Sequence, residues 1–360
     1  MIVQRIIRTI VLPILFLLPN LAAASDAETT DNQPEEWNVT EMIMHHIGDS
    51  HEFHVGDWNG RAISFALPII LWTDNGLVTF MSSEFHHDNN GKVAVERAGQ
   101  KFVRYHEEVY YADANGSVAY DEEHKVINSR PLNFSITKNV FSLVLASLLM
   151  LAVFIPVANS YKKNKRAPKG LAAFVEPIIL FVRNDIAIPN IGKKKYERYM
   201  PYLLTVFFLI WIGNLFGLIP FFPFSSTLTN DIIFTGFLAV MTLLITLFSS
   251  NKNYWRHIFA TPGVPVWLLP LMIVVEILGI FTKPFALMVR LFANITAGHI
   301  IILSLISLIF IFGSVWVSPV SILFALFINA LELLVAVLQA YVFTLLSALF
   351  IGQAVEEEHH

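Results

Sequence analysis

"FTKPFALMVRLFANITAGH" occupies residues 281–299, and its reading decides the fold. It is flanked by "VWLLPLMIVVEILGI" (266–280) and "IIILSLISLIFIFGSVWV" (300–317). An arginine, Arg290, therefore stands in the middle of a long apolar region. A guanidinium at the centre of a bilayer costs about 2.5–3.5 kcal/mol on insertion scales. Such residues face a bundle interior, a watery cavity or a partner, so each is a functional hypothesis by default.

Composition places the stretch in a membrane. The chain has 360 residues, 55% of them hydrophobic and 14% charged, against roughly 25% charged in soluble domains. Mean hydropathy is +0.59. A formal net charge of −4 makes no case for nucleic acid, and the absence of cysteine excludes disulfides, iron–sulfur clusters and thiol catalysis. No Gly-rich Walker loop is present, so no direct nucleotide site is expected; no cofactor and no catalytic centre in this chain are expected either.

The opening "MIVQRIIRTIVLPILFLLPNLAAAS" has Arg5 and Arg8, a short apolar core, and Ala22-Ala23-Ala24 before Ser25. This is a signal-peptide pattern with a cut after Ala24, giving residues 1–24 as signal peptide. An uncleaved anchor is the alternative. Both send the following segment outside, which in a bacterium is the periplasm. Residues 25–135 are polar and form the expected periplasmic region. "RAISFALPIILWTDNGLVTFMSS" (61–83) signals a β-hairpin at Asp74-Asn75-Gly76, and "EEVYYADANGSVAY" (107–120) repeats the signal at Asn115-Gly116.

Residues 136–360 read as the membrane-embedded domain of an all-α polytopic membrane protein. "NVFSLVLASLLMLAVFIPVA" (139–158) is one N-terminal span. Ten of the 24 Lys and Arg residues lie between 162 and 198, which by the positive-inside rule is cytoplasmic. Residues 171–201 suggest an interfacial segment on that face. Segments 202–224 and 231–248 form a transmembrane hairpin. Residues 264–353 hold two long apolar stretches, each exceeding a perpendicular span, so they must tilt, kink or lie along the membrane. The polar tail "QAVEEEHH" is expected in the cytoplasm.

These last stretches carry Glu276, Lys283, Arg290, Asn294, His299, Asn329, Glu332 and Gln339. On helices, Arg290 and Asn294 share a face, as do Glu332 and Gln339, and Glu276 lies about 21 Å from Arg290 along the axis. Ala286, Ala293 and Ala297 make the stripe around Arg290 small, which lets another helix approach closely. Blander roles exist for several of them. Lys283 can snorkel to the cytoplasmic surface, Asn329 can serve packing, and Arg290 can pair with Glu276 or Glu332 as structural glue. A structural pair does not call for Asn, His, Glu and Gln strung along two helices, whereas a proton path does.

"KPFALMVRLFANITAGH" (283–299), followed by "LELLVAVLQAYVFTLLSAL" (331–349), closely resembles subunit a of the rotary proton-translocating ATP synthase. The resemblance extends from about residue 139 to the end, including "NLFGLIP" (214–220) and "VEILGIFTKP" (275–284). It implies a stator subunit with two offset proton half-channels beside a rotating ring of c subunits. Arg290 matches the family's essential arginine, Asn294, His299, Glu332 and Gln339 its half-channel residues, and Glu276 an acidic residue of the cytoplasmic side. The implied partners are the c-ring, peripheral-stalk subunit b and the lipid bilayer, in a bacterial inner membrane. Gly217 stands where some members have aspartate and is given no proton role. Met288, two before the arginine, replaces a commonly small residue and weakens the close-approach argument. The signal peptide and long N-terminal extension resemble the Bacteroidota branch.

"HHIGDSHEFH" (45–54) and "FHHD" (85–88) read as a solvated polar loop rather than a metal site, because histidine spacing without cysteine is a weak signal. Two other function classes remain. A secondary ion- or proton-coupled transporter predicts internal repeats, and none is visible. A membrane-anchored periplasmic metal-binding protein leaves the polar residues of 276–339 unexplained.

Overall fold

A computed structural model describes residues 48–58, 61–113, 115–121, 125–163, 169–219, 226–260, 264–312 and 317–356. The expected signal peptide, His45 and His46 lie outside them. The chain divides into two compact units, residues 1–144 with 220–226, and 145–219 with 227–360.

Among the described residues of the first unit, eight strands form three small antiparallel sheets: β1 (Glu52–Trp58) with β2 (Arg61–Ala66); β3 (Pro68–Thr73) between β4 (Gly76–Met81) and β8 (Leu132–Asn133); and β5 (Asn90–Arg97), β6 (Gln100–Tyr105) and β7 (Glu108–Tyr111) in order. Alternation sets the faces. Ile69 and Leu71 of β3 point inward with Val78, Phe80 and Phe102, while Trp72 points out. The expected turn at Asp74-Asn75-Gly76 joins β3 to β4, with Thr73 opposite Gly76. Gly76 takes φ +103°, a conformation that suits glycine.

Among the described residues, no pair of strands turns on Asn115-Gly116. Asn115-Gly116 sits in a loop closed by Asp113, whose carboxylate accepts the Asn115 and Ser117 amides at 2.9 and 2.8 Å. These bonds hold the Asp113 carboxyl below its ordinary pKa. The β6–β7 hairpin instead turns on His106-Glu107, at φ 48° and 63°. Asn89 stabilises this left-handed pair by accepting the Glu107 amide on its side chain at 2.6 Å.

The solvated-loop reading of the histidines is corrected for His51, which is 2% exposed. His87 Nδ1 donates to the Glu52 carboxylate at 2.8 Å. Among the described residues, no three of His, Cys, Asp and Glu are grouped to hold a metal ion. Glu52 also pairs with Arg104 at 3.1 Å, and Arg104 is fully buried over the Phe85 ring. Removing one partner of a buried pair leaves an uncompensated charge. Arg104→Leu is therefore expected to destabilise this unit by about 3–5 kcal/mol. Limited proteolysis of the full-length protein within 52–111 would measure it, and an unchanged cleavage rate would contradict it.

The second unit is helical. α1 (Lys138–Lys163) enters it from the first. α2 (Leu171–Phe181) runs through a π-helical stretch, Val182–Ala187, into a short α3 (Ile188–Ile191). Then come α4 (Tyr196–Leu218), α5 (Ile232–Ser249), α6 (Lys252–Phe259), α7 (Leu269–Phe312) and α8 (Ser318–Val355). Five of these, α1, α4, α5, α7 and α8, are long and apolar enough to cross a membrane. At 44 and 38 residues, α7 and α8 run about 66 and 57 Å, roughly twice a hydrocarbon layer of about 30 Å.

The core lies among α4, α5, α7 and α8, with Leu203, Ile210, Leu287, Leu291 and Phe343 almost fully buried. The segment 171–191 is docked rather than free, since Val182, Ile186 and Ala187 are buried in that core. Gly352 of α8 lets the Asn190 backbone come close, and a Cβ there would overlap its carbonyl. Lys195 and Asn251 donate to the Val355 carbonyl at 2.8 and 3.0 Å. They satisfy the C-terminal end of α8, where helix carbonyls otherwise lack partners.

Candidate functional site

α7 and α8 run antiparallel, and three side-chain contacts fix their register. Lys283 donates to Gln353 at 3.0 Å, Asn294 donates to Gln339 at 3.0 Å, and Gly298 faces Glu332, where a Cβ would overlap the carboxyl. Arg290 falls between the first contact and the second. The helix face it occupies is exposed, together with Ala286, Ala293 and Ala297. The adjoining face, Leu287, Leu291 and Ile295, is buried.

No carboxylate among the described residues lies within ion-pair distance of Arg290. The structural-glue alternative, with Glu276 or Glu332 as partner, is therefore not what the chain builds. Glu276 sits near His257 at 3.9 Å. Glu332 is 7% exposed, and neither carboxyl oxygen has a hydrogen-bond partner among the described residues. Exposed Asn329 likewise makes no packing hydrogen bond among them. Met288 points away from the arginine toward Gly236 of α5, its Sδ 3.4 Å from where a Cβ would lie. The expected obstruction to close approach is therefore absent.

Polar groups collect on either side of Arg290. Toward the C-terminal part of α7 lie Asn294 with Gln339, then Glu332, then His299. His299 Nε2 is 2.9 Å from the Thr227 hydroxyl. Thr227 belongs to the α4–α5 connection. Its neighbours join the same region: Thr229 donates to Asn214 of α4 at 2.5 Å, and Thr296 of α7 donates to Asn230. The signal was legible in two ways. "SSTLTND" (225–231) is a mostly polar run between spans, and an isolated glycine inside a helix, such as Gly217 or Gly298, costs about 1 kcal/mol against alanine and so points to a packing reason. A Cβ at Gly217 would overlap the Thr227 hydroxyl. An aspartate there would displace Thr227, so this departure is matched by its neighbour.

Toward the N-terminal part of α7 lie Glu276, His257, Tyr254, Lys283 and Gln353. Burial, and after it the charge of Glu276, push the Tyr254 phenol above its ordinary pKa. Lys283 is half-buried, bonded to Gln353 and 5.5 Å from the Phe350 ring centroid. It lines a cleft with Thr246, Tyr254, Ile280 and Pro284. Proline removes the helix bond to the residue four before it, which frees the Ile280 carbonyl at that cleft. No helix-level pattern pointed to Tyr254 or Gln353, since each meets α7 only through tertiary packing.

Comparison with known proteins decides the family. The sequence model of the ATP synthase A chain matches residues 140–352. The chain belongs to that family. ATP synthase subunit a of Chloroherpeton thalassium is 48% identical over 235 residues, 63% of this chain and 69% of the relative. ATP synthase subunit a 2 of Chlorobaculum tepidum is 50% identical over 230 residues, 62% of this chain and 64% of the relative. ATP synthase subunit a of Myxococcus xanthus is 46% identical over 235 residues, 64% of this chain and 76% of the relative. The first two bear out a likeness to the Bacteroidota branch. The first unit lies largely outside the ATP synthase A chain match, and residues 42–134 match a Domain of unknown function (DUF8433).

Proposed function

We propose that this chain is the stator subunit of a proton-translocating ATP synthase, standing beside a rotating ring of c subunits and holding two offset half-channels. One observation carries the reading: Arg290 sits on an exposed, small-residue face without a carboxylate partner among the described residues, between two separate groups of polar side chains. Its counter-charge then belongs to the ring, whose helices each bring a carboxylate past it. An adjacent cation favours the ionised carboxylate, and hydrocarbon favours the neutral one.

A proton taken up from the periplasm passes along His299, Glu332, Asn294 and Gln339 to neutralise a ring carboxylate. That site then moves into lipid. After nearly a full turn it meets the cytoplasmic side near Glu276 and releases its proton. Arg290 separates the two paths. A guanidinium stays protonated at any accessible pH, so it blocks the direct route and cannot relay. The driving force is about 2.3 kcal/mol per charge per 100 mV, with the pH gradient added.

The rest of the assignment follows the same reading. Residues 1–24 are a signal peptide, 25–135 a periplasmic region, and 136–360 the inner-membrane domain, with a periplasmic N-terminus and a cytoplasmic C-terminus. Subunit b of the peripheral stalk is the second protein partner, and ATP chemistry belongs to other subunits. The His/Glu pair favours protons over sodium as the ion.

Purification in mild detergent tests the assignment. The chain is expected to bring down a ring of small helical-hairpin subunits. Recovery of this chain alone would support a secondary transporter instead. ATP synthesis that required sodium would overturn the choice of ion.

A further inference from the structure

We propose that Thr227 is a positioning residue for His299, and that Gly217 exists to let it be one. The inference rests on the proton path described above. It begins with an asymmetry in the imidazole ring. A histidine that passes protons must be held with one nitrogen toward each neighbour, and the hydrogen bond at one nitrogen sets which of the two carries the proton. His299 is half-buried, with Nε2 2.9 Å from the Thr227 hydroxyl. A hydroxyl both donates and accepts. It therefore keeps its bond when Nε2 changes from acceptor to donor, which an amide proton or a carbonyl cannot do.

Thr227 is itself held. It is 8% exposed, and its carbonyl accepts the Asn230 amide at 3.0 Å in the short turn that precedes α5. Gly217, near the end of α4, leaves the space its side chain fills; an added Cβ would overlap the hydroxyl and crowd the Thr227 Cβ. A second glycine repeats the device one step along the path. Gly298, adjacent to His299, makes room for the Glu332 carboxyl. Two notches in two helices thus bring a hydroxyl and a carboxyl to consecutive residues of α7.

The test uses the whole complex reconstituted in lipid vesicles, with passive proton conductance as the readout. Thr227→Val keeps the shape and removes the hydroxyl. It is expected to lower conductance about threefold to tenfold, the effect of one hydrogen bond. Thr227→Ser is expected to restore most of it. Gly217→Ala, which displaces a hydroxyl that is still present, is expected to fall with Thr227→Val. In a His299→Ala background, Thr227→Val is expected to add nothing, because the two act through one group. A full additive loss in that background, or no rescue by serine, would mean that Thr227 acts only on packing and would overturn the inference. Thr227→Val at full conductance, with His299→Ala impaired, would also overturn it and leave the path standing. Unchanged conductance in His299→Ala would remove the path, and the inference with it.

Discussion

Arg290→Ala is expected to abolish proton-driven ATP synthesis, with a loss on the order of a hundredfold or more, while the complex still assembles. The two halves of this prediction have separate causes. Assembly survives because Arg290 makes no ion pair among the described residues and projects from an exposed face. Its neighbours in the core, Leu287 and Leu291, lie on the adjoining buried face, about 60° and about 100° round the helix. Alanine is also the best helix former. Function fails because the small-residue face then presents no charge to a passing carboxylate, and nothing separates the polar groups near His299 from those near Glu276. Arg290→Lys keeps a charge but loses the planar fork and can give up its proton, so it is expected to recover little. ATP synthesis and subunit stoichiometry in the same membranes would measure both halves. Coupled synthesis at the normal rate in Arg290→Ala would sink the proposed mechanism, and loss of assembly would show that the arginine is a structural residue after all.

Much of the membrane unit was legible because its signal is local. A run of twenty apolar residues names a helix without reference to anything else, and α1 and α5 fall within a few residues of the expected spans. α4 begins six residues earlier than expected, since Tyr196–Tyr202 is polar enough to read as interface yet packs against the core through Tyr199. The face of Arg290 was also local, because i to i+3 and i+4 spacing fixes it on any helix. What was hidden depends on neighbours distant in sequence. Nothing around residue 227 says that it meets residue 299, and nothing around Met288 says that it turns toward Gly236.

The strand unit shows the same division. The Asp74-Asn75-Gly76 turn carries its own chemistry in three residues. The His106-Glu107 turn does not. Histidine tolerates φ above zero but glutamate does not favour it, and the pair is stabilised by Asn89, eighteen residues before Glu107. Asn115-Gly116 has the right dipeptide, but Asp113 captures the amides first. Short polar side chains compete with backbone pairing in this way.

Glu332→Gln is expected to cut passive proton conductance about a hundredfold or more, the scale on which a single proton-exchanging side chain contributes, without disturbing assembly. The substitution keeps the length and planarity of the side chain, so the notch at Gly298 still accepts it. What it removes is the capacity to bind and release a proton. Both oxygens of Glu332 lack a hydrogen-bond partner among the described residues. A buried polar group without a partner is expensive to keep, and a structural role would have supplied one. In the proposed path, exchange with a moving proton offsets that cost. Gly298→Ala separates position from chemistry, because its added methyl must push the carboxyl aside while leaving it ionisable. Conductance is expected to fall in Gly298→Ala as well, by less than in Glu332→Gln, since the end of a glutamate side chain can swing. Normal conductance in Glu332→Gln would take Glu332 out of the path. Normal conductance in Gly298→Ala alone would keep Glu332 in it and show that its place against α7 is not critical.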